Sequence, residues 1–151
     1  MVIAVDFDGT IVEDCYPRIG KEIPFAIETL KLLQKEKHYL ILWTVREKER
    51  LEEAIDWCKK RGIEFYAINR NYPEEKADHE HYSRKIKADI FIDDRNFGGL
   101  PDWGTIYQTI IGKSDSTNPD KWIIGSATKK NTTQTKHLIS SDGTQTGHTS
   151  I

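Results

Sequence analysis

The chain has 151 residues, a formal net charge of −2, 37% apolar residues and 30% charged residues, which suits one small domain. The near-balance of charge excludes a general pull toward nucleic acid or anionic lipid, and there is no specific nucleic-acid signal. No run approaches the roughly 20 apolar residues of a membrane helix. The opening Met1–Asp6 has no basic leader, and Cys15 and Cys58 make no disulfide framework, so a reducing cytoplasm is the expected location.

Val2–Val5 is a continuous apolar run, as expected of a strand buried on both faces. Pro24 suits the first turn of a helix, and Ile27, Leu30 and Leu33 give that helix an apolar stripe. Tyr39–Trp43 reads as a second buried strand. Glu47–Arg61 reads as a helix with Leu51, Ala54, Ile55 and Cys58 on one face. Acids open it, Lys59–Arg61 close it and Gly62 stops it. Ile63–Ile68 is expected as a third strand, residues 69–83 as a loop or broken helix, Ala88–Ile92 as a fourth strand and Ile106–Ile111 as a fifth. Strands alternating with helices predict an α/β fold with a mainly parallel sheet and helices on both faces.

Composition shifts near Lys113. Residues 1–112 carry a net charge of −4, and residues 113–151 carry +2 with 14 Ser and Thr. Residues 1–112 are therefore expected to be the folded domain. Residues 113–125 are expected to be a linker or a docked strand at Trp122–Ile124. Residues 126–151 read as a polar, flexible tail, too poor in apolar side chains to offset the entropy of ordering.

Ligands of an open parallel sheet bind beyond the carboxyl ends of its strands, and the chemistry-bearing residues gather there. Asp6 and Asp8 follow the first strand, Thr44 and Arg46 the second, and Asp93 and Asp94 the fourth, with Lys85 shortly before it. Phosphoryl transfer needs cations and backbone donors around the phosphoryl oxygens. Asp6, Asp8 and Asp93 offer the hard oxygen ligands that suit Mg²⁺. Asp6 is placed to act as nucleophile and Asp8 as general acid and base. Gly9 lets the backbone approach a phosphate, and amides after it, such as that of Thr10, can donate to it. Thr44 offers a hydroxyl and Lys85 a point charge. Arg46 suits either a substrate phosphate or an ion pair with Glu49, and Arg95 either substrate or Asp94.

These segments resemble the motifs of the haloacid-dehalogenase-like (HAD) superfamily of phosphatases. Asp6-Phe7-Asp8-Gly9-Thr10 is similar to its first motif, Leu40–Thr44 to its second, Lys85 to its third and Ile90–Asp94 to its fourth. The resemblance implies a Rossmannoid three-layer α/β/α sandwich with strand order 3-2-1-4-5. It implies Mg²⁺ held by Asp6, the backbone carbonyl of Asp8 and Asp93, with Asp94 in an outer role. Lys76 and Lys87 compete with Lys85 for the lysine position. Only 33 residues separate Thr10 from Thr44, and 40 separate Thr44 from Lys85. Neither gap holds a large cap domain, so the resemblance is to small capless members with a flap at Val12–Gly20.

The expected function is a Mg²⁺-dependent phosphatase acting on a small-molecule or polymer-borne phosphate ester, its open site covered, if at all, by another copy of the chain. The alternative is a non-hydrolytic phospho-receiver or Mg²⁺/phosphate-binding module. Asp78-His79-Glu80-His81 has ligand-like residue types but reads as a solvated loop stretch, and Trp103 as packing.

Overall fold

The computed structural model describes residues 1–115 except His79 and His81. The expectations for Trp122–Ile124 and for the tail lie outside the described residues.

Among the described residues there are four strands: β1 (Val2–Val5), β2 (Tyr39–Leu42), β3 (Ala67–Ile68) and β4 (Ile90–Ile92). They form one parallel sheet in the order β3-β2-β1-β4. This is the expected α/β Rossmannoid arrangement. Among the described residues three helices accompany it: α1 (Ala26–Lys35), α2 (Lys48–Lys59) and α3 (Trp103–Asp115). No cap domain interrupts the described residues.

Alternation along the strands separates two faces. Ile3, Val5, Leu40, Leu42 and Ile92 pack with Leu30 and Leu33 of α1, Ala54 and Cys58 of α2, and Trp103, Ile106 and Ile110 of α3. Ala4, Ile41 and Ala67 face the other way, against Ile86 and Ala88. Right-handed crossovers account for this split. Moving from β1 to β2 to β3 carries both connecting helices to one face. Returning past β1 to β4 carries the connection to the opposite face, where Ile86 and Ala88 pack, and its described residues form no helix.

Three departures from the elements read in the sequence matter most, beyond shifts of one to two residues at the ends of β2, β4 and α2. Ile106–Ile111 is not a fifth strand but lies inside α3. The signal for a helix is present: Trp103, Ile106 and Ile110 recur at helical spacing, and Asp102 caps the start. Its carboxylate accepts the Thr105 N–H (2.9 Å) and the Thr105 hydroxyl (2.6 Å). The third strand shortens to Ala67–Ile68, where it pairs with Ile41 and Leu42. Pro24 falls before α1, which begins only after Phe25 turns through φ 65°.

The α1 stripe can be tested by denaturation. Leu30→Ala, at a fully buried position, is expected to cost about 2–5 kcal/mol in urea unfolding. Leu32→Ala, at a position 42% exposed, should change it by about 0.5 kcal/mol or less. Equal effects would contradict the packing of this helix.

Candidate active site

The sheet ladder runs past the strand ends and carries the site residues with it. The Asp6 N–H donates to the Ile92 carbonyl (2.9 Å), Trp43 N–H to Val5 (2.8 Å) and Asn69 N–H to Leu42 (2.8 Å). One open cavity of about 390 Å³ lies over these ends. It is lined by Asp6, Asp8, Trp43, Thr44, Val45, Asn69, Tyr82, Arg84, Asp93 and Arg95.

Carboxylate oxygens of Asp6, Asp93 and Asp94 lie within 4.8 Å of one another. Burial pushes the Asp6 carboxyl up to about 7, and the charges of Asp93 and Asp94 push the same way against hydrogen bonds from the Phe7 backbone and Thr10. Asp94 is also raised, first by burial and then by Asp93. Its Oδ1 is buried without a hydrogen-bond partner. Three hard oxygen donors that repel one another, one of them unsatisfied, fit a divalent cation such as Mg²⁺.

The turn after β1 holds this cluster. Phe7, fully buried, presents its carbonyl to the N–H groups of Thr10, Ile11 and Val12. Thr10 is buried too. Its hydroxyl donates to Asp6 Oδ2 (3.1 Å) and accepts the Asp94 N–H (3.1 Å), so one side chain ties the ends of β1 and β4 together. Trp103 Nε1 donates to the Thr10 carbonyl (3.1 Å), which makes the indole part of the site's support, as its reading as packing anticipated. Gly9 sits at φ 82° with the Asp94 carboxylate directly over it: a Cβ there would come within 2.2 Å of Oδ2.

Asp8 does not join the acidic cluster with its side chain. Its carboxylate is gripped from both sides by Arg46, Nε to Oδ2 at 2.6 Å and Nη2 to Oδ1 at 2.7 Å. Arg46 is therefore placed neither against Glu49 nor in the cavity lining. The guanidinium is buried, and its remaining donors meet the carbonyls of Pro17, Arg18 and Arg50. No N–H is left over for a substrate phosphate.

Thr44 is held between loops. Its hydroxyl accepts the Arg46 N–H (3.2 Å). Its backbone N–H donates to Asn69 Oδ1 and its carbonyl accepts from Asn69 Nδ2, both at 2.8 Å. Lys85 does not reach this cavity. Ile86 buries its side chain under the sheet, and the exposed Lys85 lines a neighbouring cavity with Asn71, Glu80 and Lys87. The cations lining the cavity are Arg84 and Arg95, and Arg95 also donates its N–H to Asp93 Oδ1 (2.8 Å). Asn69 could have been found by the rule that located Thr44, since it follows a strand. Tyr82 and Arg84 lie in an irregular stretch with no periodic signal.

No helix of the described residues is long and apolar enough to cross a membrane.

Two mutations probe the cluster. Ionised Asp6 opposes folding of the metal-free chain. The stability of its protonated form is present below the ordinary carboxylate range near 4 and is lost as pH rises through about 7. Asp6→Asn should therefore stabilise metal-free protein at pH 8, by on the order of 1–2 kcal/mol since water screens part of the charge. The gain should vanish below about pH 4 in thermal melts. Gly9→Ala should lose about 1–3 kcal/mol from its backbone alone and weaken Mg²⁺ binding in calorimetric titration by displacing Asp94.

No family model matches this sequence. A curated Bacillus cereus protein named "Putative nucleotidase" is 26% identical over 105 residues, which is 70% of this chain and 51% of that protein. The match thus spans about half the length of that relative. The solved structure of a conserved protein from Bacteroides thetaiotaomicron is 70% identical, with a TM-score of 0.71, covering 75% of this chain and 91% of that one. The chain belongs to the family of that conserved Bacteroides protein.

Proposed function

We propose that this chain is a Mg²⁺-dependent phosphatase of the HAD-like type, with Asp6 as nucleophile, and that a nucleoside monophosphate is among its substrates. The observation that carries this reading is the position of Asp6. It lies at the end of a central strand, in an open cavity, beside Asp93 and Asp94.

Asp6, Asp93 and Asp94 would hold the cation, which when bound offsets the negative charge shared by carboxylates and phosphate. An Asp6 oxygen attacks phosphorus, the phosphorus–oxygen ester bond breaks, and protonated Asp8 gives its proton to the leaving oxygen. Asp8 then takes a proton from water, which attacks the aspartyl-phosphate and releases inorganic phosphate, restoring Asp6. Arg46 binds each Asp8 oxygen once, so a lone pair remains on each for the proton. Arg84 and Arg95 supply positive charge to the phosphoryl oxygens in place of Lys85. Trp43, Val45 and Tyr82 give the same cavity an apolar wall against which a base can stack. The name of the Bacillus relative points the same way.

A panel of nucleoside monophosphates and simple phosphate esters, assayed for phosphate release with Mg²⁺ and with EDTA, tests this. Release is expected only with Mg²⁺. Asp6→Asn should reduce it at least about 10³-fold, and Asp93→Ala should raise the Mg²⁺ concentration required. Absence of release across the panel would sink the hydrolase reading. A stable phosphoryl adduct on Asp6 without turnover would favour the phospho-receiver instead.

A further inference from the structure

We infer that Arg46 is a positioning residue that locks Asp8 and the flap into one unit, so that the orientation of the general acid depends on the flap; this rests on the proposed role of Asp8. Arg46 stands two residues beyond Thr44, outside β2, yet it is among the most deeply buried side chains of the described fold. Burying a guanidinium is unfavourable unless its donors are met. Here they meet three parts of the chain. Two reach the Asp8 carboxylate, two reach the carbonyls of Pro17 and Arg18 in the flap, and one reaches the Arg50 carbonyl in α2. The guanidinium also lies over the rings of Phe7 (5.1 Å) and Tyr16 (5.3 Å).

The flap has few other holds. Residues 13–18 are exposed, and its base is fastened by the Glu13 N–H to the Lys21 carbonyl (2.7 Å) and the Ile23 N–H to Ile11 (2.9 Å). Between those fastenings the Arg46 contacts tie the Pro17–Arg18 backbone to the site. The planar fork matters, because a lysine could supply one point charge but not two parallel bonds to Asp8 together with the flap carbonyls.

Leaving-group chemistry distinguishes positioning from bulk structural support. An alkyl phosphate needs its leaving oxygen protonated, whereas 2,4-dinitrophenyl phosphate leaves readily as an anion. Arg46→Lys is expected to lower kcat/KM, which reports the first transfer and not the breakdown of the shared aspartyl-phosphate, roughly 10- to 100-fold for the alkyl ester and less than about 3-fold for the dinitrophenyl ester. In an Asp8→Asn background the same substitution should add no further loss on the alkyl ester. Arg46→Met, which keeps an apolar stem between Phe7 and Tyr16, should show the same selectivity, with circular dichroism and melting confirming that both variants fold. Equal losses on both esters in a folded variant, or full additivity with Asp8→Asn, would overturn the inference. If the wild-type chain hydrolyses neither ester, the phosphatase reading fails, and the lock is then judged by trypsin cleavage after Arg18 and Lys21. Faster cleavage in Arg46→Lys supports the lock, and an unchanged rate overturns it.

Discussion

The pairing of β1 with β4 is the constraint on which the candidate site depends. Val5 lies opposite Ile92 in that register, so the next residues, Asp6 and Asp93, must emerge side by side with Asp94. Burying Asp6 beside two further carboxylates opposes folding in the absence of a counter-charge, and Asp6 and Asp94 are raised first by burial and then by their acidic neighbours. The core beneath bears that penalty. Ile3, Val5, Leu40, Leu42 and Ile92 bury one face of the sheet against three helices, and the Thr10 hydroxyl stitches the two strand ends from below.

The first turn shows how closely local backbone and chemistry are linked. Gly9 is needed because the Asp94 carboxylate occupies the space a side chain would take. The same turn sends Asp6 and Asp8 to different surroundings. Asp6 joins a cluster of acids that calls for a cation, while Asp8 faces a buried guanidinium. Two carboxylates of one tripeptide therefore sit in different electrostatic surroundings.

The covering of the second sheet face has a functional consequence. The described residues between β3 and β4 form no helix; Ile86 and Ala88 among them pack on that face, and Asn69, Tyr82 and Arg84 line the cavity. A regular helix there would have presented side chains at fixed spacing. Irregular chain instead lets Ile86 anchor under the sheet while Arg84 and Lys85, adjacent in sequence, line different cavities.

Much was legible in the sequence where the signal is local. Apolar runs at Val2–Val5 and Tyr39–Leu42 could bury only as central strands, and the acids just beyond Val5 and Ile92 could lie only at strand ends. Those features determined a parallel α/β sheet and the candidate site at its carboxyl edge. Residues 106–111 are ambiguous by themselves because an apolar run of that length suits either a strand or a buried helix, and the Asp102 cap decides for the helix. Tertiary structure alone decided the rest. It turned Arg46 inward, because only the folded chain brings Asp8, two flap carbonyls and the Arg50 carbonyl around one guanidinium. It moved Lys85 out of the candidate site and Arg84 in, because the direction of a side chain in an irregular segment is set by which neighbour finds the core, and no periodicity in the sequence encodes that.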